Sequence, residues 1–458
     1  MQKSIDDILN DWYKIDEKFN SYFEVDERYI NIVIEFDNLD EFNKFNKDIY
    51  DVINIKSIRS DNELSLINCS RYCVENSSNK IRIKYRVDRI SEFVIKSIDD
   101  SVFDDITFSL DDINWFVLDE TNYSFDPINE NVKFNNYVKS YNLSFGKITI
   151  YRLFSFAHKS NEFKMNDDIA FNIKFNSAIT YTEVIEKVYS FRNLLMIFGR
   201  RYLNVVNMFI TNKEKEYRII DCYKEYNHHP INNNYREYLD HHTLTLKCLK
   251  DFPQLINRYY EEYNKMLPII DSWFSNVKFQ LPPKVRFINL TTMIEDFANL
   301  YLKNKVNDDS INEAQKIKND FIENIFGIFN KKMKITDSDK IAIKKELNEL
   351  VKDNNQTSFI IKTKTLINNV NEIFEYSNNE IEIIIENIRN ARLACIHKSI
   401  YIDEEKIQYI SKYSDFIDDI VFLNILKLCG SDLRFDEWKC IEYNYQKKDL
   451  THPIKFKK

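Results

Sequence analysis

The chain of 458 residues is long enough for two or three domains at roughly 150 residues each. Its 44% hydrophobic and 30% charged content is that of a folded globular protein and excludes a disordered or fibrous chain. The formal net charge of -8 supplies no global positive field, so any contact with nucleic acid has to be local.

Only four glycines occur, Gly146, Gly199, Gly327 and Gly430, and they lie too far apart for the glycine-rich loops that cradle a nucleotide phosphate. The seven cysteines are an odd number, and the opening MQKSIDDILN has acids where the apolar stretch of a signal peptide would lie. A cytoplasmic chain with free thiols is expected. No run of about 18 apolar residues is present, so no membrane span and no membrane partner are expected.

In chain order, the first half alternates with a period of two. The segment 30–36 is β-rich; Ile81, Ile83, Tyr85 and Val87 alternate with Arg82, Lys84, Arg86 and Asp88; 148–157 is again β-rich; and Ile169, Phe171, Ile173 and Phe175 alternate with Asn172 and Lys174. One buried and one wet face per strand points to an antiparallel sheet. A helix is predicted over 180–199. Thr180 and Glu183 have capping-box spacing, Val184, Val188, Phe191, Leu195 and Phe198 recur at helical spacing, and Gly199 is the expected stop. Strands over 205–211 and 217–226 complete the domain.

The polar segment 227–234, NHHPINNN, contains the helix breaker Pro230 and divides a β-rich domain at 1–229 from a helical domain at 230–458. Beyond it, periodicity predicts a connecting helix over 235–275 and helices over 284–304, 309–330, 337–353, 360–400 and 404–428, with Thr336 and Asp337 as caps and Gly430 as a stop. Pro282-Pro283 separates the connecting helix from the bundle. The expected fold class is α+β: an antiparallel β-rich domain followed by an all-α bundle.

Two clusters carry ligand or charge types. Cys222, His228, His229, His241, His242 and Cys248 suit zinc chemically, but their spacing matches no finger, and no metal or cofactor is expected. Cys69 and Cys73 read as packing thiols. Lys331, Lys332 and Lys334, followed by Lys340, Lys344 and Lys345, form a local basic patch that either follows an RNA backbone or is a solvated surface.

The most informative stretch is IEIIIENIRNARLACIHKS, 381–399. At about 100° per residue, Ile381, Ile384, Ile385, Ala391 and Cys395 fall on one stripe with Ile388, which is the buried face of a helix. Asn390 and His397 lie almost opposite that stripe, and Arg389 is close to His397 in angle. Arg389 and Arg392 also stand at helical spacing from Glu382 or Glu386, with which either can pair as an ordinary surface charge.

These residues resemble a known family. Arg392-Leu393-Ala394-Cys395-Ile396-His397 is similar to the R-x4-H motif of HEPN domains, and Arg389-Asn390 looks like the Arg-Asn pair that often opens it. The order of a β-rich part and then a helical bundle resembles the ApeA family of bacterial anti-phage proteins. YTEVIEKVYSFRNLLMIFGRR is similar to the long helix of that family's N-terminal domain. The segment 269–274, IIDSWF, has a counterpart there, and Met293-Ile294-Glu295 sits where the family's first bundle helix carries an acid. Two departures stand out: Leu393 follows Arg392 where the common RNxxxH form has a polar residue, and Arg389-Asn390 lies three residues too far from His397.

The resemblance implies metal-independent cleavage of RNA leaving a 2',3'-cyclic phosphate, in a cleft formed where two HEPN domains of a homodimer meet, as part of anti-phage abortive infection. Histidine suits the removal of a proton from a ribose 2'-hydroxyl near neutral pH, and arginine gives a fixed bidentate charge to the phosphate. His397, Arg392, Arg389 and Asn390 are thus the candidate catalytic residues, with Lys331, Lys332, Lys334 and Lys398 to bind RNA and Glu295 as a candidate supporting acid. The arginine that works with His397 stays open. The N-terminal domain is the expected regulator, answering a phage-derived trigger of unknown kind. The alternative is a catalytically inactive HEPN module that binds RNA or a protein.

Overall fold

A computed structural model describes residues 5–222 with short breaks, Leu246, Leu249, 251–303 apart from 279–280, 359–396, 404–430 and Leu450. The protein is α+β, an antiparallel β-rich part followed by helices. Two compact units divide between Glu261 and Glu262.

The first unit begins with α1 (Ile5–Leu9), β1 (Trp12–Ile15), β2 (Phe19–Val25), β3 (Ile30–Phe36), α2 (Leu39–Phe45), β4 (Ile49–Ser57), β5 (Glu63–Ser77) and β6 (Lys80–Ser91). The strand order β6-β3-β2-β1-β4-β5, with β5 returning to pair with β6, closes a six-stranded barrel. The alternation that marked these strands in the sequence fills the interior. Ile32, Ile34, Phe36, Leu66, Ile83 and Tyr85 are all fully buried, and each fully buried aliphatic side chain contributes about 1.5–3 kcal/mol. The alternate positions of β6 carry the charges: Arg82 pairs with Glu35 at 2.8 Å, and Lys84 pairs with Glu24 and Glu75 at 2.8 and 2.9 Å.

An open arm continues from the barrel. It contains β7 (Val102–Leu110), β10 (Tyr137–Leu143), β11 (Gly146–Lys159), β12 (Glu162–Thr180), β13 (Val205–Asn212) and β14 (Lys215–Asp221), while β8 (Tyr123–Asp126) and β9 (Asn131–Phe134) form a separate pair. The arm runs β10-β11-β12-β7-β13-β14 and joins β6 through β14. Along one edge, β6 therefore pairs with β3 over Ile81–Val87 and then with β14 over Arg89–Ser91. The strand predicted over 217–226 is seen as β14 and ends at Asp221; positions 223–226 lie outside the described residues.

Helix α3 (Tyr181–Gly199) packs on this arm, with Phe191 edge-on to Phe108 and Phe171 at 6.1 and 5.3 Å. Its capping box forms as the spacing predicted: the Thr180 backbone N–H donates to Glu183 Oε2 at 2.8 Å, and the Glu183 N–H donates to Thr180 Oγ1 at 3.4 Å. The helix ends at Gly199, as expected, with the left-handed position falling on Arg200 at φ 48°. The glycine has another purpose: a Cβ there would run into the indole of Trp115.

Helix α4 (Phe252–Lys278) begins in the first unit, where Phe252 packs against Phe116, Tyr141 and Phe198 and the Tyr260 hydroxyl donates to the Lys187 carbonyl at 2.7 Å. Of the connecting helix expected over 235–275, the described part is Phe252–Lys278. Pro253, which lacks an N–H, stands in the first turn, where no intrahelical donor is needed. Positions 235–245 lie outside the described residues, as do the helices expected over 309–330 and 337–353.

The second unit holds the rest of α4, α5 (Pro283–Lys303), α6 (Phe359–Phe374), α7 (Asn378–Ile396) and α8 (Glu404–Leu428). The single helix expected over 360–400 is two. Glu375 adopts φ 52°, the Asn371 side-chain amide donates to the Tyr376 carbonyl at 2.8 Å, and the Tyr376 N–H donates back to Asn371 Oδ1 at 3.0 Å. Ser377 and Glu380 then form a fresh capping box that starts α7, with Ser377 N–H on Glu380 Oε2 at 2.8 Å. Trp273 on α4 is fully buried, stacks on Phe422 of α8 and donates its indole N–H to Asp418.

Candidate active site

Helix α7 carries the motif. Ile381, Ile384, Ile385, Ile388 and Ala391 are buried, as the stripe required, and Ala394 and Asn387 join them. Asn387 is the addition that periodicity did not signal: it donates to the carbonyl of Leu450 at 3.2 Å, which also accepts from the Tyr413 hydroxyl at 3.1 Å. Cys395 is half-buried at the end of the stripe, and burial pushes its thiol up to about 11 against the opposing charge of Lys284.

The two arginines differ sharply. Arg389 is exposed and pairs with Glu386 one turn back at 3.3 Å, a helical-spacing ion pair of little energetic weight. Arg392 reaches across to α5 instead. Its Nη1 and Nη2 donate to the two oxygens of Glu295 at 2.8 and 3.0 Å, a bidentate contact between residues 97 apart in sequence. The side chains are 22% and 28% exposed, so the pair is sheltered but reachable from solvent. Charge-assisted contacts of this kind contribute about 1.5–3 kcal/mol.

The sequence pattern of α5 explains why Glu295 is available. Met293, Ile294, Phe297 and Ala298 take up the buried side, leaving Glu295 at its margin, directed to Arg392. Phe359, the first residue of α6, supplies the third part: the Arg392 guanidinium lies over its ring at 4.7 Å. Arg392 Nε is buried and has no hydrogen-bond partner. No motif or spacing marked Phe359 beforehand; its only signal was an apolar residue opening a helix.

Asn390 is half-buried on α7. His397, Lys398, Lys331, Lys332 and Lys334 lie outside the described residues. Of the zinc-type cluster, Cys222 is buried, and His228, His229, His241, His242 and Cys248 lie outside the described residues. Among the described residues no group of three or more His, Cys, Asp or Glu could hold a metal ion. No described helix is long and apolar enough to cross a membrane.

A family model described as ApeA N-terminal domain 1 matches residues 9–259, more than half of the 458 residues, and covers the barrel, the arm and the start of α4. The chain belongs to the ApeA family. ApeA membership assigns it to anti-phage defence. The match stops short of α5, α6 and α7, which carry Glu295, Phe359 and Arg392. No curated protein and no solved structure matches the chain.

Proposed function

We propose that this ApeA protein is a metal-independent endoribonuclease of abortive infection, with its HEPN-like helical part, 230–458, as the nuclease and its β-rich part, 1–229, as the regulator. The observation that supports the reading is the partly exposed Arg392–Glu295 pair, whose arginine opens the R-x4-H motif on α7, five residues before His397. A permanently charged guanidinium at a reachable surface is the group that phosphoryl chemistry requires. In this reading His397 takes the proton of a ribose 2'-hydroxyl. The 2'-oxygen then attacks the adjacent phosphorus, the bond to the 5'-oxygen breaks, and that oxygen leaves as a 5'-hydroxyl after protonation. The products are a 2',3'-cyclic phosphate and a 5'-hydroxyl end, with no net redox change. Arg392 holds the phosphate as charge grows on it. Arg389 and Asn390 are the further catalytic candidates of this reading, and Lys331, Lys332, Lys334 and Lys398 bind RNA. The working unit is a homodimer through the helical part, acting in the cytoplasm and switched on by a phage-derived trigger.

The test is incubation of the purified protein and its His397→Ala and Arg392→Ala variants with total cellular RNA and a chelator, with and without extract from phage-infected cells. Cyclic phosphate ends made by the parent and lost in both variants support the reading. No His397-dependent ends under either condition would end it. A second reading, an inactive RNA- or protein-binding module, is favoured by one fact: both Nη atoms of Arg392 are already engaged by Glu295. It requires RNA or protein binding that depends on Arg392, with no cleavage.

A further inference from the structure

A guanidinium offers two forks that match a phosphate: the end formed by Nη1 and Nη2, and the side formed by Nε and one Nη. In Arg392 the first is filled by both oxygens of Glu295, at 2.8 and 3.0 Å. The second is closed because Nε is buried, without a partner. One face of the group is covered by the Phe359 ring at 4.7 Å. As held, Arg392 has no fork open to a phosphate.

We infer that Glu295 is a latch that competes with an RNA phosphate for Arg392, and that release of this carboxylate is the step that arms the site. The inference rests on the nuclease reading and adds how that site is kept silent. The carboxylate mimics the ligand: it is anionic and planar, and it presents two oxygens to the same pair of donors. Exchange is physically open because the two side chains keep 22% and 28% of their surface in solvent, where an incoming anion can reach them. The latch depends on packing, since its halves sit on α5 and α7, so a small shift of either helix separates carboxylate from guanidinium. The unpartnered Nε points the same way. A buried donor left unsatisfied in the closed state costs stability, and turning Arg392 outward relieves that cost.

Glu295 in a purely positioning role makes the opposite prediction, because weakening it would then weaken the hold on phosphate. The experiment is fluorescence anisotropy with a labelled, uncleavable 2'-O-methyl RNA oligonucleotide and the full-length protein, using Glu295→Gln, Glu295→Asp, Arg392→Ala and the double variant Glu295→Gln/Arg392→Ala. Glu295→Gln keeps the shape and removes the charge, and is expected to bind about tenfold tighter than the parent, the difference between a charge-assisted and a neutral hydrogen-bonded pair. Glu295→Asp keeps the charge but withdraws it by one methylene, so it should bind RNA between the parent and Glu295→Gln, and the double variant should lose the gain. Circular dichroism checks that each variant folds. Equal or weaker binding by folded Glu295→Gln overturns the latch. The cyclic-end assay judges the nuclease reading separately: a tenfold gain without His397-dependent ends keeps the competition at Arg392 and rejects cleavage.

Discussion

Gly199→Ala sets two effects of known size against each other. Glycine inside a helix costs about 1 kcal/mol relative to alanine, so propensity alone favours the change. Gly199 is the last helical residue, with Arg200 already left-handed at φ 48°, so only part of that gain is realised. Against it stands Trp115: a Cβ at 199 would meet its ring at several atoms, among them Cη2 at 2.9 Å and Cε2 at 3.1 Å. The ring has little room to move, being 6% exposed, edge-on to Phe116 at 5.7 Å and under the Arg201 guanidinium at 5.4 Å. Overpacking of this kind costs about 1–3 kcal/mol, and the net expectation is about 1–2 kcal/mol of destabilisation. Because a chain of two units does not unfold in one step, the readout is native-state hydrogen exchange of peptides spanning 190–200. Their protection should fall about tenfold, which corresponds to 1.4 kcal/mol. Trp115→Phe, which removes the atoms that clash, should recover part of the loss in the double variant. Unchanged or greater protection in Gly199→Ala would refute the reasoning.

Asn371→Ala removes both hydrogen bonds that hold the α6–α7 turn and should destabilise it by about 1–2 kcal/mol, read by native-state hydrogen exchange of peptides spanning 366–380, whereas Glu375→Gly relieves a left-handed non-glycine and should gain up to about 1 kcal/mol; the same sign for both would contradict the turn geometry. Hydrogen bonds from the Thr180 backbone and hydroxyl hold the Glu183 carboxyl below its ordinary value. Its contribution to α3 is therefore present above the ordinary carboxylate pKa of about 4.3 and lost as pH falls through the lowered folded value. Glu183→Gln should abolish that pH dependence of exchange at the start of α3. At pH 8, a limiting thiol reagent followed by mass mapping should modify half-exposed Cys73 before Cys395, whose thiol burial raises to about 11, and before buried Cys69; earlier labelling of Cys395 would contradict its place at the end of the α7 stripe.

Features that are local in the chain were legible in the residues. The alternation of Ile83, Tyr85 and Val87 with charges gave β6, Thr180 with Glu183 gave the start of α3, and the isoleucine stripe gave the buried face of α7. The spacing of Glu386 and Arg389 likewise anticipated their ion pair. Closure of the barrel was not legible, because pairing of β5 with β6 around a ring has no sequence signature beyond that of any hairpin. The break at Glu375 was missed for a related reason: a side chain, Asn371, makes it, with no proline or glycine to mark it. Arg392 fitted the motif by spacing, yet its engagement with Glu295 arises from helix packing across 97 residues, and only the family resemblance singled out that acid. Phe359 had no advance signal at all. His397 and the lysines expected to bind RNA lie outside the described residues and stand as sequence expectations.

The twelve-stranded sheet is a ribbon with one end rolled into a ring. Rolling consumes the margin that β5 would otherwise present, so the order of described strands has a single terminal member, β10, at the far end of the arm. Lys139 and Ser140 lie exposed on it, and a charge there discourages another chain from extending the ladder. Strand addition at the far end of the arm would meet Tyr137–Leu143 and its exposed lysine first.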